Sequence, residues 1–198
     1  MMRSWEWVLC IALLAAPLQS DEIANTTGKG DWAADGANVG LWGGENWTWA
    51  VSVRPSIAYT LTSISLPLSL VNPPGVVNIV LAEDDHGFPG RLIEKFTIAV
   101  NDHEAALQKV TSIQHPQLAE NTLYWVFVTA ANPTRIYWHN TSDNPPPRGC
   151  KVALRENRSS WIVQHDQFRP PGLILSGEPF STLKVARVTG QSYPRVLP

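Results

Sequence analysis

The chain has 198 residues, which is enough for one ordinary domain with a hydrophobic core and short for two. Hydrophobic residues make up 44% and charged residues 16%, a composition that is typical of globular proteins and argues against disorder. The formal net charge is −2 and no block of Lys and Arg occurs, which argues against a nucleic-acid partner because phosphate binding needs clustered cations. Sixteen Pro and thirteen Gly favour many short strands joined by turns.

Residues 1–20 have the pattern of a secretory signal peptide. Residues 8–16 form an apolar run that is too short to span a bilayer, and the small residue Ser20 would precede the cleavage point. We therefore expect a secreted or extracellular protein that begins near Asp21 and has no membrane span after the signal is removed. Cys150 is then the remaining cysteine, so we expect no internal disulfide and a fold stabilised by its core.

The rest of the chain is predicted to be one β domain with flanking segments. Residues 21–44 are rich in Gly, Asn, Asp and Thr, and are interpreted as a loop-rich lead-in. A β-sandwich domain is predicted over residues 45–178, where short alternating runs are separated by turn signals about every eight to twelve residues. The alternation changes phase near Thr62, which indicates a bulge or bend. Residues 179–198 are interpreted as a C-terminal tail or one further strand.

The expected fold is an all-β, antiparallel β-sandwich of jelly-roll type, with two packed sheets and about eight to ten strands. The candidate strands are residues 47–53, 57–70, 76–82, 91–100, 107–113, 122–130, 134–139, 151–154, 160–164 and 173–176. Residues 83–90 are predicted to be a polar hairpin loop, and only residues 101–109 offer even a short helix, through residues 104–107. The core is expected to include Ile57 or Tyr59, Leu66, Leu68, Ile79, Leu81, Trp125, and Phe127 or its alternating neighbours.

Three segments carry a likeness to a known family. Residues 59–68 read as a strand of the type tLtsIslpl, residues 77–90 as a hairpin that ends in Gly-Phe-Pro-Gly, and residues 115–126 contain His-Pro-Gln-Leu followed by Asn-Thr-Leu-Tyr-Trp-Val. With the later strand around Trp138 and a Ser-Trp pair at Trp161, their order resembles the bacterial extracellular domain called choice-of-anchor R.

This resemblance covers about residues 40–178. Members of that family are exported and usually carry a C-terminal cell-surface sorting element, often of the PEP-CTERM type, and the family has no shared catalytic residues. The resemblance therefore implies an extracellular, non-catalytic module. Residues 180–198 contain no such sorting element, so we expect free secretion here rather than anchoring.

No motif in the sequence predicts catalysis or a metal centre. The chain has no Gly-x-Ser-x-Gly elbow, no Gly-rich phosphate loop and no His-Glu-x-x-His pattern. The acidic run at residues 83–86 offers oxygen atoms to calcium, but contiguous side chains on an extended backbone point in different directions, which favours a solvated hairpin tip. We therefore predict that the protein is not an enzyme and uses no metal or cofactor.

Aromatic residues supply the candidate binding site. Tyr137 and Trp138 are neighbours in a predicted strand, so one of them should point outward, unless both are used in packing. Sandwich modules stack exposed aromatic rings on sugars, and Arg135 and His139 beside the pair are suited to hydrogen-bond a ligand. These four residues are the candidate ligand-binding residues.

Three functions follow from these observations. The first is an exported, non-catalytic module with a structural or adhesive role at the cell surface or outside the cell. The alternative is a carbohydrate-binding module that uses exposed aromatic residues. The third is a secreted hydrolase with paired carboxylates from distant strands. The expected partners are polysaccharide or cell-surface components.

Overall fold

The computed structural model describes residues 20–27, 32–131, 133–142, 150–164 and 169–180. These residues form thirteen strands and no helix, so among them no helix is long and apolar enough to cross a membrane. The predicted signal peptide and nearly all of the predicted C-terminal tail lie outside the described residues. The strands are β1 (Asp21–Asn25), β2 (Trp32–Trp42), β3 (Glu45–Val53), β4 (Tyr59–Asn72), β5 (Val76–Asp85), β6 (Phe88–Ala99), β7 (Ala106–Thr111), β8 (Gln117–Leu118), β9 (Tyr124–Ala130), β10 (Arg135–Thr141), β11 (Val152–Glu156), β12 (Ile162–Gln164) and β13 (Ile174–Pro179).

All strand pairs are antiparallel and belong to one sheet, in the order β1-β13-β4-β10-β2-β3-β9-β5-β6. Strands β7 and β8 pair with β4, and β11 pairs with both β3 and β12. The sheet curls so that one of its faces encloses the main core. The predicted all-β, sandwich-like class is confirmed, although the sheet is continuous and has more strands than the eight to ten expected.

The interpretation of residues 21–44 as a loop-rich lead-in is wrong, because this segment contains β1 and β2. Strand β2 lies inside the sheet, between β10 and β3. Glycines in β2 allow the neighbouring backbone to approach closely and do not form turns. A Cβ at Gly36 would lie only 2.7 Å from the carbonyl oxygen of Trp138. Gly40 has a φ of +93°, and a Cβ there would overlap the carbonyl oxygen of Thr134. A segment with a composition typical of loops therefore forms a central strand.

The hairpin between β5 and β6 is tighter than predicted. Its turn consists of His86 and Gly87, which both have positive φ, and Asp84 Oδ2 accepts the Gly87 N–H at 3.0 Å. Most of the predicted loop at residues 83–90 is therefore strand. The predicted short helix at residues 104–107 is also wrong, since β7 already begins at Ala106.

The register of β4 confirms the predicted change of phase. Ser63 pairs with Ser176 and Leu61 with Gly177, so Thr62 is the extra residue of a β-bulge. The bulge moves the buried apolar side chains from the odd residues Tyr59 and Leu61 to the even residues Ile64, Leu66 and Leu68. One long strand can thus keep its apolar side chains on the core face along its whole length.

The predicted core is largely confirmed. Four of its members are fully buried in the main cluster, namely Leu66, Leu68, Ile79 and Leu81. Tyr59 is buried whereas Ile57 is 44% exposed, which decides between those two alternatives. Trp125 is fully buried in a second, smaller cluster on the other side of the sheet, where the half-buried Phe127 packs against it. Both faces of β9 are therefore covered.

Candidate functional site

The four predicted ligand-binding residues lie in β10 but on two faces of the sheet. Trp138 is fully buried in the main core, and its indole N–H donates to the carbonyl oxygen of Gly172 at 2.7 Å. Tyr137 is half-buried and lies on the opposite face. The structure corrects the prediction for Trp138, which has no surface to offer a ligand because its ring fills the core.

His139 is also buried, and its ring joins three strands. Nδ1 lies 3.1 Å from the carbonyl oxygen of Ala33, so it must donate there, and Nε2 lies 2.8 Å from Ser69 Oγ. A neutral His139 with the proton on Nδ1 can accept from the Ser69 hydroxyl. The predicted role of His139 as a ligand-binding residue is therefore corrected to a structural one, since both ring nitrogens already have partners.

Arg135 and Tyr137 form a fixed polar and aromatic group on the outer face. Nε and Nη2 of Arg135 lie 3.1 Å and 2.9 Å from Oδ1 of Asn38 in β2, and Nη2 lies 3.4 Å from the Tyr137 hydroxyl. The guanidinium carbon is 5.6 Å from the centre of the Tyr137 ring and 5.9 Å from that of Trp42. The structure thus brings together Arg135 and Tyr137 with Trp42 and Asn38, two residues that the sequence did not indicate.

Trp42 also borders a cavity of about 320 Å³, which is within the usual range for small-ligand sites. The cavity is lined by Gly36, Ala37, Asn38, Trp42, Trp47, Trp49 and Leu154. We call it the tryptophan cavity. Trp42 is 48% exposed, whereas Trp47 and Trp49 are more deeply placed against the core.

The cavity lies over β3 and the two strands that flank it there. Along one edge β3 pairs with β2 over residues 45–47 and then with β9 over residues 49–53, and along its other edge it pairs with β11 over residues 47–51. Trp47 pairs with Gly40 of β2 and with Glu156 of β11, so these two strands lie on opposite sides of β3. The cavity is therefore lined by residues of β2, β3 and β11, and the middle strand contributes Trp47 and Trp49.

Two of the acidic residues at 83–86 are held by hydrogen bonds to neighbouring side chains. Arg91 donates two hydrogen bonds to Glu83, and this pairing holds the pKa of Glu83 below its usual value. Asp84 accepts the indole N–H of Trp125 at 2.8 Å. Among the described residues, no three potential His, Cys, Asp or Glu ligands converge.

The chain matches no protein-family model and no curated protein. The likeness to choice-of-anchor R therefore rests on its sequence motifs and stays a prediction. A function for the tryptophan cavity has to follow from its own geometry.

Proposed function

We propose that the protein is an exported, non-catalytic module with an adhesive role, and that it adheres by binding polysaccharide at Trp42 and the tryptophan cavity. The observation that carries this proposal is a half-exposed indole, Trp42, at the border of a cavity that two further tryptophans line. The C–H faces of sugar rings stack on such aromatic surfaces, which are large and apolar.

The polar groups beside Trp42 suit sugar hydroxyls. Arg135 is held by Asn38 and Tyr137, and within the described part of the chain its Nη1 makes no hydrogen bond. A donor that is already fixed loses little conformational entropy when it binds a ligand. The combination of a stacking surface with an oriented donor supports sugar binding over purely apolar contact.

The residues that line the cavity suit binding, and the carboxylates of Glu45 and Glu156, which pair with Trp42 and Trp47, are not among them. The described residues that line it are Gly, Ala, Asn, Trp and Leu, and none of them has a carboxylate, imidazole or thiol group. Such side chains can stack and donate hydrogen bonds, but they cannot transfer protons in glycoside hydrolysis. The signal pattern and the resemblance to choice-of-anchor R support an extracellular location.

Affinity electrophoresis in native gels that contain soluble, neutral polysaccharides tests this proposal. We expect at least one polysaccharide to retard the wild-type protein, and Trp42→Ala to weaken the affinity about tenfold, or about 1.4 kcal/mol. Tyr137→Ala should weaken it less, because that ring is half-buried.

Phe88→Ala is the matched control, since Phe88 is an exposed aromatic residue at the distant hairpin between β5 and β6. Its affinity should equal that of the wild type, and circular dichroism should show that all variants keep the β fold. The proposal is wrong if no polysaccharide retards the wild type, or if Trp42→Ala binds as well as Phe88→Ala.

A further inference from the structure

A second cleft, of about 330 Å³, lies on the other face of β3 from the tryptophan cavity. It is lined by Asn46, Thr48, Thr129, Ala130, Arg155, Asn157 and Arg158. Thr48 of β3 pairs with Arg155 of β11, and the adjacent Trp47 pairs with Glu156. Because paired residues share a face and successive residues alternate, the cleft and the cavity are on opposite faces of the sheet.

Arg155 lines this cleft, and among the described residues no side-chain hydrogen bond involves its guanidinium. Its guanidinium carbon lies 4.5 Å from the centre of the Trp161 ring and 5.7 Å from that of Phe127, which fixes its orientation. Its Nε is shielded from solvent and has no partner, and within the described ranges Arg155 forms no ion pair. A guanidinium has five N–H donors, so Arg155 is able to donate hydrogen bonds to an acceptor in the cleft.

A strained turn places a second guanidinium beside the first. Asn157 and Arg158 both have positive φ, 46° and 64°, and the Ser159 N–H donates to Glu156 O at 2.7 Å. Arg rarely adopts this conformation, which costs about 1 kcal/mol, and such strain is concentrated at functional sites. Two hydrogen bonds between Asn46 and Asn157, at 2.8 Å and 2.9 Å, tie the turn to β3.

The acidic residues nearby do not neutralise the two arginines. Glu156 is on the opposite face, where burial and the neighbouring Glu45 raise its pKa. In the described part of the chain, neither carboxylate lies within ion-pair distance of Arg155 or Arg158. Burial and the proximity of Arg158 lower the pKa of Arg155, which remains charged at neutral pH. Two positive charges thus face the cleft.

We propose that this cleft binds a tetrahedral oxyanion, sulfate or phosphate, either free or as an ester group on a larger ligand. Two guanidinium groups and the hydroxyls of Thr48 and Thr129 surround the space. A carboxylate has two oxygens for these donors, whereas a tetrahedral anion has up to four, and guanidinium groups bind such anions with paired hydrogen bonds. This site is separate from the proposed polysaccharide site and does not depend on it.

A titration of the ¹⁵N-labelled full-length protein with sodium sulfate, sodium phosphate or sodium chloride at matched ionic strength tests the proposal. The arginine Nε–Hε resonances report on the guanidinium groups directly. We expect the Arg155 resonance to shift saturably with sulfate or phosphate and not with chloride. Titration with dextran sulfate and with uncharged dextran then distinguishes the two sources of the oxyanion. A shift with dextran sulfate identifies the ligand as an ester group on a larger molecule, and a shift with the inorganic ions alone identifies it as the free anion.

Arg158→Gln is the decisive variant, because Arg158 is exposed and its loss should leave the fold intact, whereas Arg155 packs on two rings. We expect Arg158→Gln to weaken oxyanion binding at least tenfold. Arg54→Gln, which removes the same charge from an exposed position outside the cleft, should bind as the wild type does, and so should Trp42→Ala. The proposal is overturned if chloride produces the same shift as sulfate and phosphate, or if Arg54→Gln and Arg158→Gln weaken binding equally.

Discussion

Glu94, in the edge strand β6, is a carboxylate with only 2% of its surface exposed. Its Oε2 accepts a hydrogen bond from Ser112 Oγ at 2.7 Å, and its Oε1 accepts the N–H groups of Ile113 and Gln114 at 2.8 Å and 3.0 Å. These three bonds connect the turn that follows β7 to β6. Replacing Glu94 by Ala therefore removes an interaction between distant segments rather than a simple surface charge.

The expected cost of Glu94→Ala is about 2–4 kcal/mol of unfolding free energy. Each hydrogen bond to a charged group contributes about 1.5–3 kcal/mol, but removal of the carboxylate also removes its desolvation penalty. Ile113 and Gln114 are exposed, so their N–H groups can turn to water after the change. Glu94→Gln keeps one acceptor oxygen, and we expect it to cost about 1 kcal/mol.

Urea unfolding followed by tryptophan fluorescence measures these values, and the midpoint should fall without a change in slope. Glu120→Gln is the matched control, because Glu120 is exposed and lies outside this network, and its midpoint should stay within error of the wild type. A loss below about 0.5 kcal/mol for Glu94→Ala would refute the role that the three hydrogen bonds assign to Glu94.

Three further predictions follow from the fold. Burial raises the pKa of the Cys150 thiol to about 12, so native protein at pH 9 should react with iodoacetamide far more slowly than urea-unfolded protein. The free energy of unfolding should fall between about pH 9 and 12, because in that range only the unfolded chain releases the thiol proton. Equal alkylation rates for native and unfolded protein would contradict this. Gly40→Ala should cost more than about 3 kcal/mol in thermal unfolding because of the overlap with Thr134, whereas the matched Gly43→Ala, with positive φ in open space, should cost about 1 kcal/mol. Mass spectrometry of exported protein should find a mature chain that begins near Asp21, and an uncleaved chain retained in the membrane would disprove the signal peptide.

The fold class was predictable because it depends on local alternation. The bulge at Thr62 could be placed because a change of phase appears in the sequence itself. Strands β1 and β2 could not be placed from the sequence, because segments rich in Gly and Asn have the composition of loops. Gly36 and Gly40 are required by the backbones of β10 and the segment before it, which approach from about 100 residues away in the chain.

The candidate site was predictable only in part. Alternation showed that Tyr137 and Trp138 face opposite sides, but a period of two does not tell which side is the core. That choice depends on the pairing of β10 with β2 and β4, which also buries His139 against Ser69. The cavity beside Trp42 depends on the pairing of β2 and β11 with opposite edges of β3, and strands so distant in sequence leave no local signal.

The most direct test of polysaccharide binding at Trp42 observes its indole group. In ¹⁵N-labelled protein, each indole Nε1–H gives a resolved resonance, and oligosaccharides of a retained polysaccharide can be titrated against it. We expect a saturable shift of the Trp42 resonance. The resonances of Trp125 and Trp138, whose indole N–H groups are already hydrogen-bonded to the protein, should stay in place. A saturable interaction that leaves the Trp42 resonance unchanged would contradict the proposed site.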